Sequence, residues 1–389
     1  MTPPLQRIVT KEFTTGKWFK GKKMEKYQPE TIYIDQEVKD HWLVHRITDY
    51  YTDIPATVIS SSKEIEEKYI HSDDPITEGK KHLFLTRNRG SFVKKCPGTN
   101  GFICCNYYVI DLIENCPLEC SYCFLQNYLS ERMIKIYVNV EDMFSELDHL
   151  MADPKKFYRI GTGELSDSLA LDEATSYSSL LVQYFADKPN ALLELKTKSN
   201  AISNLLPLDP QGRTIISWSL NPDNIIRQEE AKTSKLQERI ESAFQCQEKG
   251  YQLAFHFDPI FYYDGWQQDY QDLIDQLFDI IDSNRIAWIS LGGFRYNQPF
   301  QKVLPERFPE SRILYQEFLE SPDGKMRYFI KIREQLYQTM LAMLKEKDSK
   351  LFTYLCMEGK HVWSKVYGFP PKNDHNLDRL FRQRQTAIQ

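Results

Sequence analysis

Three cysteines lie within eight residues of this chain, Cys116, Cys120 and Cys123, with three and then two residues between them. A structural zinc site uses four protein ligands, usually in two separated pairs, whereas three thiolates can hold a cubane iron–sulfur cluster with one iron left open. The spacing favours a [4Fe–4S] cluster, and we expect its open iron to take S-adenosylmethionine, a cofactor of radical chemistry. The alternatives are a zinc site completed by Cys104 or Cys105, and simple buried thiols.

The composition indicates a globular protein with no strong attraction to one class of partner. The 389 residues include 49 basic and 54 acidic side chains, a formal charge of −5, which demands neither nucleic acid nor a membrane surface but allows a local basic patch. Aromatic residues make up 13% of the chain, too many for a disordered protein. Eight cysteines in so long a chain form no disulfide framework, and no apolar run is long enough for a membrane span, so we expect a cytoplasmic protein.

Short apolar strands alternate with helical stretches from about residue 105 onwards. This alternation is typical of repeated βα units on a mostly parallel sheet, and six units can curl into a partial barrel whose functional loops follow the strands. We predict an α/β fold, a partial (β/α)6 TIM barrel with an N-terminal α+β extension and C-terminal additions. The predicted strands are 106–113, 158–161, 192–197, 214–220, 253–259 and 286–291, and the predicted helices lie around 126–134, 168–187, 199–205, 234–249, 267–282 and 325–347.

The chain divides into three predicted regions. Residues 1–100 form the extension, of mixed helix and loop with one strand at 81–86; residues 101–348 form the barrel; and residues 349–389 form a last strand at 351–358 and a polar tail. Lysines at 10–26, among them those at 20–23, and the basic stretch 87–95 could contact phosphate, although a solvated charged face is the commoner role of such segments.

A glycine-rich turn follows the second predicted strand. Gly161 and Gly163 would let the backbone approach a ligand, and the Glu164 carboxylate could accept the α-ammonium group of methionine. The alternative is an ordinary βα turn whose helix is capped by Ser166 or Asp167.

Polar residues also end the later strands. Lys198 and Ser219 could meet the carboxylate and the ribose of S-adenosylmethionine, and Asn221 adjoins the same rim; a surface lysine and a core serine are the alternatives. His256 and Asp258 alternate on one strand and could face the barrel interior as substrate contacts or as a hydrogen-bonded pair. Arg295 could bind an anionic group of the substrate or form a surface salt bridge.

The cysteine spacing after a first barrel strand resembles the signature of the radical S-adenosylmethionine superfamily. Within it, residues 120–126 are similar to the CxYCYLQ loop of the spore photoproduct lyase family, radical enzymes that repair a UV-induced thymine lesion in spore DNA. Further segments resemble that family in the same order along roughly residues 90–310. They are 92–96, a strand ending in cysteine; 165–167, like its T-S-D loop; 196–198; 217–221, like its F-S-I-N strand; 233–241, like its T-S-x-L-x-x-R-I-E helix start; and 249–266.

The resemblance implies a partial TIM barrel, a [4Fe–4S] cluster on the three cysteines and reductive cleavage of S-adenosylmethionine to a 5′-deoxyadenosyl radical. It also implies the cofactor contacts, among which the 161–164 turn is similar to the superfamily's GGE motif. These contacts are Tyr122, Phe124, Gly161, Gly163, Glu164, Ser166, Lys198, Ser219 and Asn221.

Two positions depart from the lyase pattern. The lyases carry a hydrogen-donating cysteine before the T-S-D loop, where this chain has Glu164, and a relay tyrosine after the third cluster cysteine, where it has Phe124. These changes argue against repair by the lyases' own mechanism. Cys356 or Cys246 offers a replacement thiol, and we predict Tyr122 and Cys356 as the catalytic residues.

Two hypotheses of function follow. The first is a radical S-adenosylmethionine enzyme, supplied by an electron donor of the flavodoxin or ferredoxin type and acting on a DNA lesion or another nucleic-acid substrate. The second is a non-catalytic barrel that binds zinc or nucleic acid. Neither the substrate nor the oligomeric state follows from the sequence.

Overall fold

The computed structural model describes residues 26–98, 101–372 and 374–388. The lysines at 20–23, and all of the 10–26 segment except Lys26, therefore lie outside the described residues. The strands are β1 Thr31–Asp35, β2 Ala56–Ile59, β3 His82–Thr86, β4 Val93–Lys95, β5 Tyr108–Ile110, β6 Ile113–Glu114, β7 Glu119–Cys120, β8 Ile134–Tyr137, β9 Tyr158–Thr162, β10 Ala191–Thr197, β11 Thr214–Ser219, β12 Glu230–Ala231, β13 Gln252–Ile260, β14 Ile286–Gly293, β15 Arg295–Asn297, β16 Phe318–Glu320, β17 Lys325–Tyr328 and β18 Thr353–Leu355.

The helices lie mostly between these strands, and none in the described ranges is long and apolar enough to cross a membrane. They are α1 Trp42–Tyr50, α2 Lys63–Ile70, α3 Pro75–Gly79, α4 Leu125–Tyr128, α5 Val140–Leu150, α6 Asp172–Thr175, α7 Tyr177–Ala186, α8 Asp223–Glu229, α9 Leu236–Glu248, α10 Trp266–Ile280, α11 Phe300–Arg307, α12 Ile330–Lys347, α13 Lys360–Tyr367 and α14 Asp374–Ile388.

An eight-stranded sheet forms the main body, in the order β18-β14-β13-β11-β10-β9-β5-β4. All neighbours are parallel except the antiparallel edge pair β4 and β5. Every residue of β9, β11 and β14 is buried, as expected for parallel strands covered on both faces. The six predicted βα strands are confirmed as six adjacent strands of this sheet, so its carboxyl ends form one mouth.

The structure corrects several predicted elements. The predicted strand 106–113 is split into β5, in the barrel sheet, and β6, which pairs with β8 in a second sheet. The predicted helix 126–134 ends at Tyr128, because the chain then enters β8, and no helix forms at 199–205. The prediction of one helix over 325–347 was wrong at its start, which is β17 in a small antiparallel sheet with β15 and β16. The strand β8 and the helix α5 were not predicted.

The second sheet, in the order β2-β1-β3-β8-β6, belongs mainly to the extension. It takes β6 and β8 from beyond residue 100, while β4 joins the barrel sheet, so strands cross the predicted boundary between residues 1–100 and 101–348. In the same way β18 lies beside β14 although it follows residue 348. The division into three regions stays a prediction. Residues 116–126, here called the cysteine segment, follow β6 of this second sheet and include β7.

Candidate active site

The three predicted cluster ligands lie on one turn between the barrel sheet and the extension. Cys116 and Cys120 are buried, Cys123 is half-buried, and the Cys123 amide donates to the Cys120 carbonyl at 3.1 Å. Cys116 packs with Leu118 and Leu125 in a small apolar cluster that Cys123 also contacts. This apolar floor screens the sulfur atoms from bulk water, as a metal cluster requires.

Burial sets the protonation state of these thiols. It raises the pKa of Cys116 to about 12 and also raises the pKa of Cys120, on which Lys198 acts in the opposite direction. Both groups stay protonated at neutral pH unless a cation takes the place of the proton. A metal cluster supplies that charge, because a coordinated thiol is deprotonated.

The number of thiols fits an iron–sulfur cubane better than a structural zinc ion, which takes four protein ligands. Ligand atoms at about 2.3 Å from a tetrahedral zinc lie roughly 4 Å apart. Among the described residues, no three thiols have their sulfur atoms all within 4.8 Å of one another, which also holds for combinations with Cys104 or Cys105. Two buried thiols and one half-buried thiol, on Cys116, Cys120 and Cys123, are the donor set that a [4Fe–4S] cluster uses.

A distant part of the chain holds the cysteine segment in place. Strand β7 pairs antiparallel with β12, so that Glu230 stands opposite Cys120. The Ser121 amide donates to the Glu229 carbonyl at 2.8 Å, and the Gln126 carboxamide donates to the carbonyls of Cys120 and Ser121 at 3.1 and 2.7 Å. These bonds fix the backbone around Cys120 without any metal.

Glu230 is the charged centre of this support, and the sequence-based predictions missed it. It accepts hydrogen bonds from the Tyr122 hydroxyl and from the Asn221 amide at 2.8 Å, and it pairs with Arg239 at 2.5 Å. Burial raises the pKa of a carboxyl group, but Arg239 and Lys198 outweigh that effect and lower the pKa of Glu230 to about 2. Glu230 is therefore ionised, and it orients Tyr122 and Asn221.

The other end of Asn221 and the adjoining Ser219 are also engaged by the protein. The Asn221 side-chain carbonyl accepts a hydrogen bond from the Tyr270 hydroxyl at 3.0 Å. The Ser219 backbone carbonyl accepts a bond from Arg239 at 2.8 Å. Arg239 belongs to the 233–241 segment, so this segment contributes a residue that joins β11 to the cysteine segment.

Lys198 lies beside the cysteine segment at the barrel mouth. Its Nζ is 5.5 Å from the centroid of the Tyr122 ring, and its amide donates to the Asp167 carboxylate at 2.7 Å. Burial lowers the pKa of Lys198, but Cys120 and Glu230 outweigh this effect and raise it, so the ammonium group is charged. The arrangement presents a cation where a ligand carboxylate could bind.

The glycines at and just after the end of β9 leave no space for added side chains. A Cβ on Gly161 would lie 1.7 Å from the Tyr107 hydroxyl and 2.7 Å from the Glu194 carbonyl, and Gly163 has a φ of +93°. The Ser166 hydroxyl is buried and has no hydrogen-bond partner in the part of the chain that the structure describes. Protein atoms thus fill the Cβ positions of both glycines, and the unsatisfied Ser166 hydroxyl is the group here that fits a polar cofactor.

The two positions that depart from the lyase pattern lie in different surroundings. Glu164 is half-buried, and burial together with Asp111 raises its pKa, while Lys196 acts in the opposite direction. Phe124 is 44% exposed and packs edge-on against Tyr128, which is 63% exposed. A cofactor contact of Phe124 stays a prediction, and the ring lies on the protein surface.

His256 and Asp258 have separate partners, so the predicted alternative of a bond between them is wrong. His256 lies within hydrogen-bond distance of Glu194, at 2.7 Å, and of Ser290, at 2.9 Å, inside the barrel. Asp258 forms a two-pronged ion pair with Arg295, at 2.9 and 3.2 Å. The side chains of Arg295 and Asp258 are only 17% and 20% exposed. The ion pair lies at the barrel mouth and is not a salt bridge of the outer surface.

The two candidate replacement thiols lie at opposite ends of the barrel. Cys356 directly follows β18, and Arg295 approaches its sulfur at 3.9 Å. Cys246 is buried near the end of α9, where its carbonyl accepts from the Tyr251 amide just before β13 begins. Strand beginnings lie opposite the mouth, so Cys356 shares the mouth with the predicted site and Cys246 does not.

Arg307 ties the extension to the cysteine segment, another contact that the sequence did not suggest. Its guanidinium contacts both carboxylate oxygens of Asp74 at 3.0 Å, Glu119 at 3.2 Å, and the Gln126 side chain. Lys80 adds a bond to the Leu118 carbonyl at 2.8 Å and an ion pair with Glu119 at 3.4 Å. No sequence signal links residues this far apart in the chain.

Comparisons with known proteins agree with this geometry. The family model described as "Spore photoproduct lyase" matches residues 27–345. Spore photoproduct lyase of Bacillus subtilis (strain 168) is 27% identical over 310 residues, which cover 78% of this chain and 87% of that protein. The enzyme of Geobacillus sp. (strain Y412MC61) is 24% identical over 298 residues, 75% of this chain and 85% of its own.

Solved structures share the fold. A spore photoproduct lyase mutant with dinucleoside spore photoproduct has a TM-score of 0.77 at 21% identity, covering 85% of this chain and 100% of its own. Another, with bound AdoMet and the dinucleoside photoproduct, has a TM-score of 0.74 at 21% identity, with coverage of 85% and 99%. The predicted partial barrel of the radical S-adenosylmethionine type is confirmed.

The fold and the three-cysteine site together define a radical S-adenosylmethionine enzyme. Within that class, the chain belongs to the spore photoproduct lyase family, because the family model spans most of its length. It is thus a lyase-type radical enzyme whose cofactors are a [4Fe–4S] cluster and S-adenosylmethionine. The alternative of a non-catalytic zinc-binding or nucleic-acid-binding barrel does not agree with this membership.

Proposed function

We propose that this radical enzyme acts on a lesion in nucleic acid. The observation that carries the proposal is the charge at the barrel mouth: Arg295, Lys196 and Lys325 each interact electrostatically with Cys356. Cations around a potential reaction site suit a substrate with a phosphate backbone. Two structural neighbours that bind a dinucleoside photoproduct support the same class of substrate.

The cofactors would be held by the residues around the cysteine segment. Cys116, Cys120 and Cys123 bind the cluster, which together with S-adenosylmethionine supplies a carbon-centred radical when it is reduced. The proposed contacts to S-adenosylmethionine share one rim, where Lys198 supplies a cation and Ser166 an unsatisfied hydroxyl. They are Tyr122, Phe124, Gly161, Gly163, Glu164, Ser166, Lys198, Ser219 and Asn221.

Cys356 donates the hydrogen atom that the lyases take from a cysteine at the position of Glu164. Burial, with Asp258 acting in the same direction, raises the pKa of Cys356 to about 12 although Arg295 opposes the change, so the S–H bond is retained. In the proposed step this bond breaks, a C–H bond forms on the product radical, and the sulfur radical is reduced by one electron and one proton. Tyr122, held by Glu230, would orient the cofactor next to this position.

His256, Asp258 and Arg295 form the proposed substrate surface. Arg295 is held by Asp258 and can still offer a donor to an anion, while His256 is bound by Glu194 deeper in the barrel. A flavodoxin-type or ferredoxin-type protein would supply the electrons. A reducing cytoplasm suits the eight free thiols.

The test has two measurements. Anaerobic reconstitution should give four irons per chain, and reduction with S-adenosylmethionine should release 5′-deoxyadenosine; one tightly held zinc without cleavage would contradict the cofactor assignment. Binding of UV-irradiated DNA should exceed binding of intact DNA. Equal, negligible binding of both would reject the nucleic-acid substrate and leave the radical chemistry intact.

A further inference from the structure

Glu30, Glu78 and His82 come together on the extension, away from the cysteine segment. Each offers one ligand atom, and these three atoms lie within 4.8 Å of one another, the single such group among the described residues. The fold brings them there in two ways. Parallel pairing places Thr31 opposite His82, so Glu30 lies beside the start of β3, and its amide donates to the Lys81 carbonyl at 2.6 Å. Glu78 lies in the last turn of α3, just before the same strand.

His82 is an unusual member of a packed sheet. It is 7% exposed, and both ring nitrogens are buried without a hydrogen-bond partner in the described part of the chain. Tyr69 stacks on the ring with centroids 4.7 Å apart, and Tyr33 lies at 5.9 Å. A neutral imidazole carries one donor and one acceptor, and buried polar atoms normally have partners. Burial lowers the pKa of His82, so a ring nitrogen keeps a free electron pair at neutral pH.

The two carboxylates at this position share one counter-ion. Lys81 Nζ lies 2.7 Å from Glu78 and 3.6 Å from Glu30, and its side chain is 40% exposed. A flexible, half-exposed lysine is a weak partner for two convergent carboxylates. It satisfies the charge of both carboxylates in the metal-free state, yet among the described residues the His82 ring nitrogens still have no hydrogen-bond partner.

We propose that Glu30, Glu78 and His82 bind a divalent transition-metal ion. Carboxylate oxygens and an imidazole nitrogen are ligands that Mn²⁺, Fe²⁺ and Zn²⁺ accept, and water would complete the coordination. The ion would displace the Lys81 ammonium group and join the start of β1 to the end of α3. Because Asp74 at the other end of α3 binds Arg307, the site would brace the element that anchors the cysteine segment.

Mn²⁺ is the suitable probe because it prefers oxygen and imidazole ligands, whereas Zn²⁺ would also bind the thiols. The full chain with its iron–sulfur cluster reconstituted is titrated with Mn²⁺, and the EPR signal of the free ion is followed. We expect one bound Mn²⁺ per chain. His82→Phe, which retains the stacking on Tyr69, and Glu78→Gln should each weaken binding by at least about tenfold. Lys81→Met should tighten binding, because it removes the competing cation.

Glu37→Gln is the matched control, since it removes a carboxylate just after β1 that pairs with Arg89, and it should leave binding unchanged. The unfolding temperature of each variant shows that it is folded, and Mn²⁺ should raise it for the wild type but not for His82→Phe. Absence of bound Mn²⁺ at millimolar concentration would overturn the proposal. The proposal would also be overturned if the His82→Phe and Glu78→Gln variants bound Mn²⁺ as tightly as the wild type does.

Discussion

The carboxylate of Glu230 meets the guanidinium of Arg239 at 2.5 Å, and both side chains are fully buried. This pair lies directly behind Cys120, since β12 carries Glu230 and pairs with β7. The two charges that support the cysteine segment therefore come from β12 and from the helix that follows it, and not from the segment itself. Removing one charge of this pair should lower both the stability of the fold and the retention of the cluster.

Arg239→Met should destabilise the protein by about 3–5 kcal/mol, because it leaves Glu230 buried without its main counter-ion. Denaturant unfolding of the cluster-free protein measures this loss. The double variant Arg239→Met/Glu230→Gln should recover most of it, because the uncompensated charge is gone. A single variant within about 1 kcal/mol of the wild type would show that Lys198 alone neutralises Glu230.

Cys120→Ala should abolish iron retention and cleavage of S-adenosylmethionine while the fold survives. The cysteine segment lies at the barrel mouth, and hydrogen bonds from Gln126 and from Glu230's strand hold its backbone. Iron content, 5′-deoxyadenosine release and circular dichroism separate the two effects. Cys246→Ala, in a thiol remote from the mouth, is the control and should keep both iron and cleavage. Cleavage by Cys120→Ala would contradict the ligand assignment.

Cys356→Ala should release 5′-deoxyadenosine normally but form little repaired product from irradiated DNA. Its S–H bond is the proposed hydrogen source, and removing it does not touch the cofactor rim. Introducing Glu164→Cys into that variant should restore part of the product, because it places a thiol where the lyases have theirs, while 5′-deoxyadenosine release should fall, because Glu164 is a proposed cofactor contact. Full product yield from Cys356→Ala would assign the donor elsewhere.

Gly161→Ala should destabilise the barrel by about 1–3 kcal/mol, because the added methyl group meets the Tyr107 hydroxyl and the Glu194 carbonyl. Thermal or denaturant unfolding measures the change. Gly90→Ala is a matched control, since its Cβ position meets only the Asn88 side-chain oxygen at 3.5 Å, an ordinary van der Waals contact. Equal stability of the two variants would mean that the strands around Gly161 shift easily.

Glu194→Gln should make the free energy of unfolding less dependent on pH in acid solution. Burial raises the pKa of Glu194, but His256 outweighs it, and the pKa falls from 4.5 to about 2 in the folded chain. A carboxyl group with a lowered folded pKa stabilises the protein above its unfolded pKa and loses this effect as the pH falls. The wild type should therefore lose up to about 3 kcal/mol relative to Glu194→Gln between roughly pH 4.5 and 2. Glu248→Gln, on an exposed helix end, should behave as the wild type does.

Local signals in the sequence predicted the parts of the molecule that depend on local contacts. The spacing of Cys116, Cys120 and Cys123 and the βα alternation needed only neighbouring residues, and the six barrel strands were found. Strand β8 was missed because it has only four residues, Ile134 to Tyr137, and the predicted helix 126–134 already covered the first of them. The positive φ of Asn106, +53°, and the passage of β6 into the other sheet divided the predicted first strand.

The supporting residues of the site could not be predicted in the same way. Glu230 and Arg307 contact residues of the cysteine segment that are 108 and 188 positions away, and Arg239 pairs with Glu230 across a turn of nine residues that no helix or strand period covers. The resemblance at 233–241 marked Arg239 as part of a motif without indicating what it binds. Its partner became clear only from the geometry.

Arg307 contacts Asp74 of the extension and Glu119 of the cysteine segment with one guanidinium group. A minimal enzyme cut down to the barrel alone would leave this group with half of its anionic partners. Grafting the barrel onto a different amino-terminal module would meet the same difficulty. Protein engineers who shorten or recombine members of this family should therefore transfer α3, the cysteine segment and α11 together, as one inherited unit.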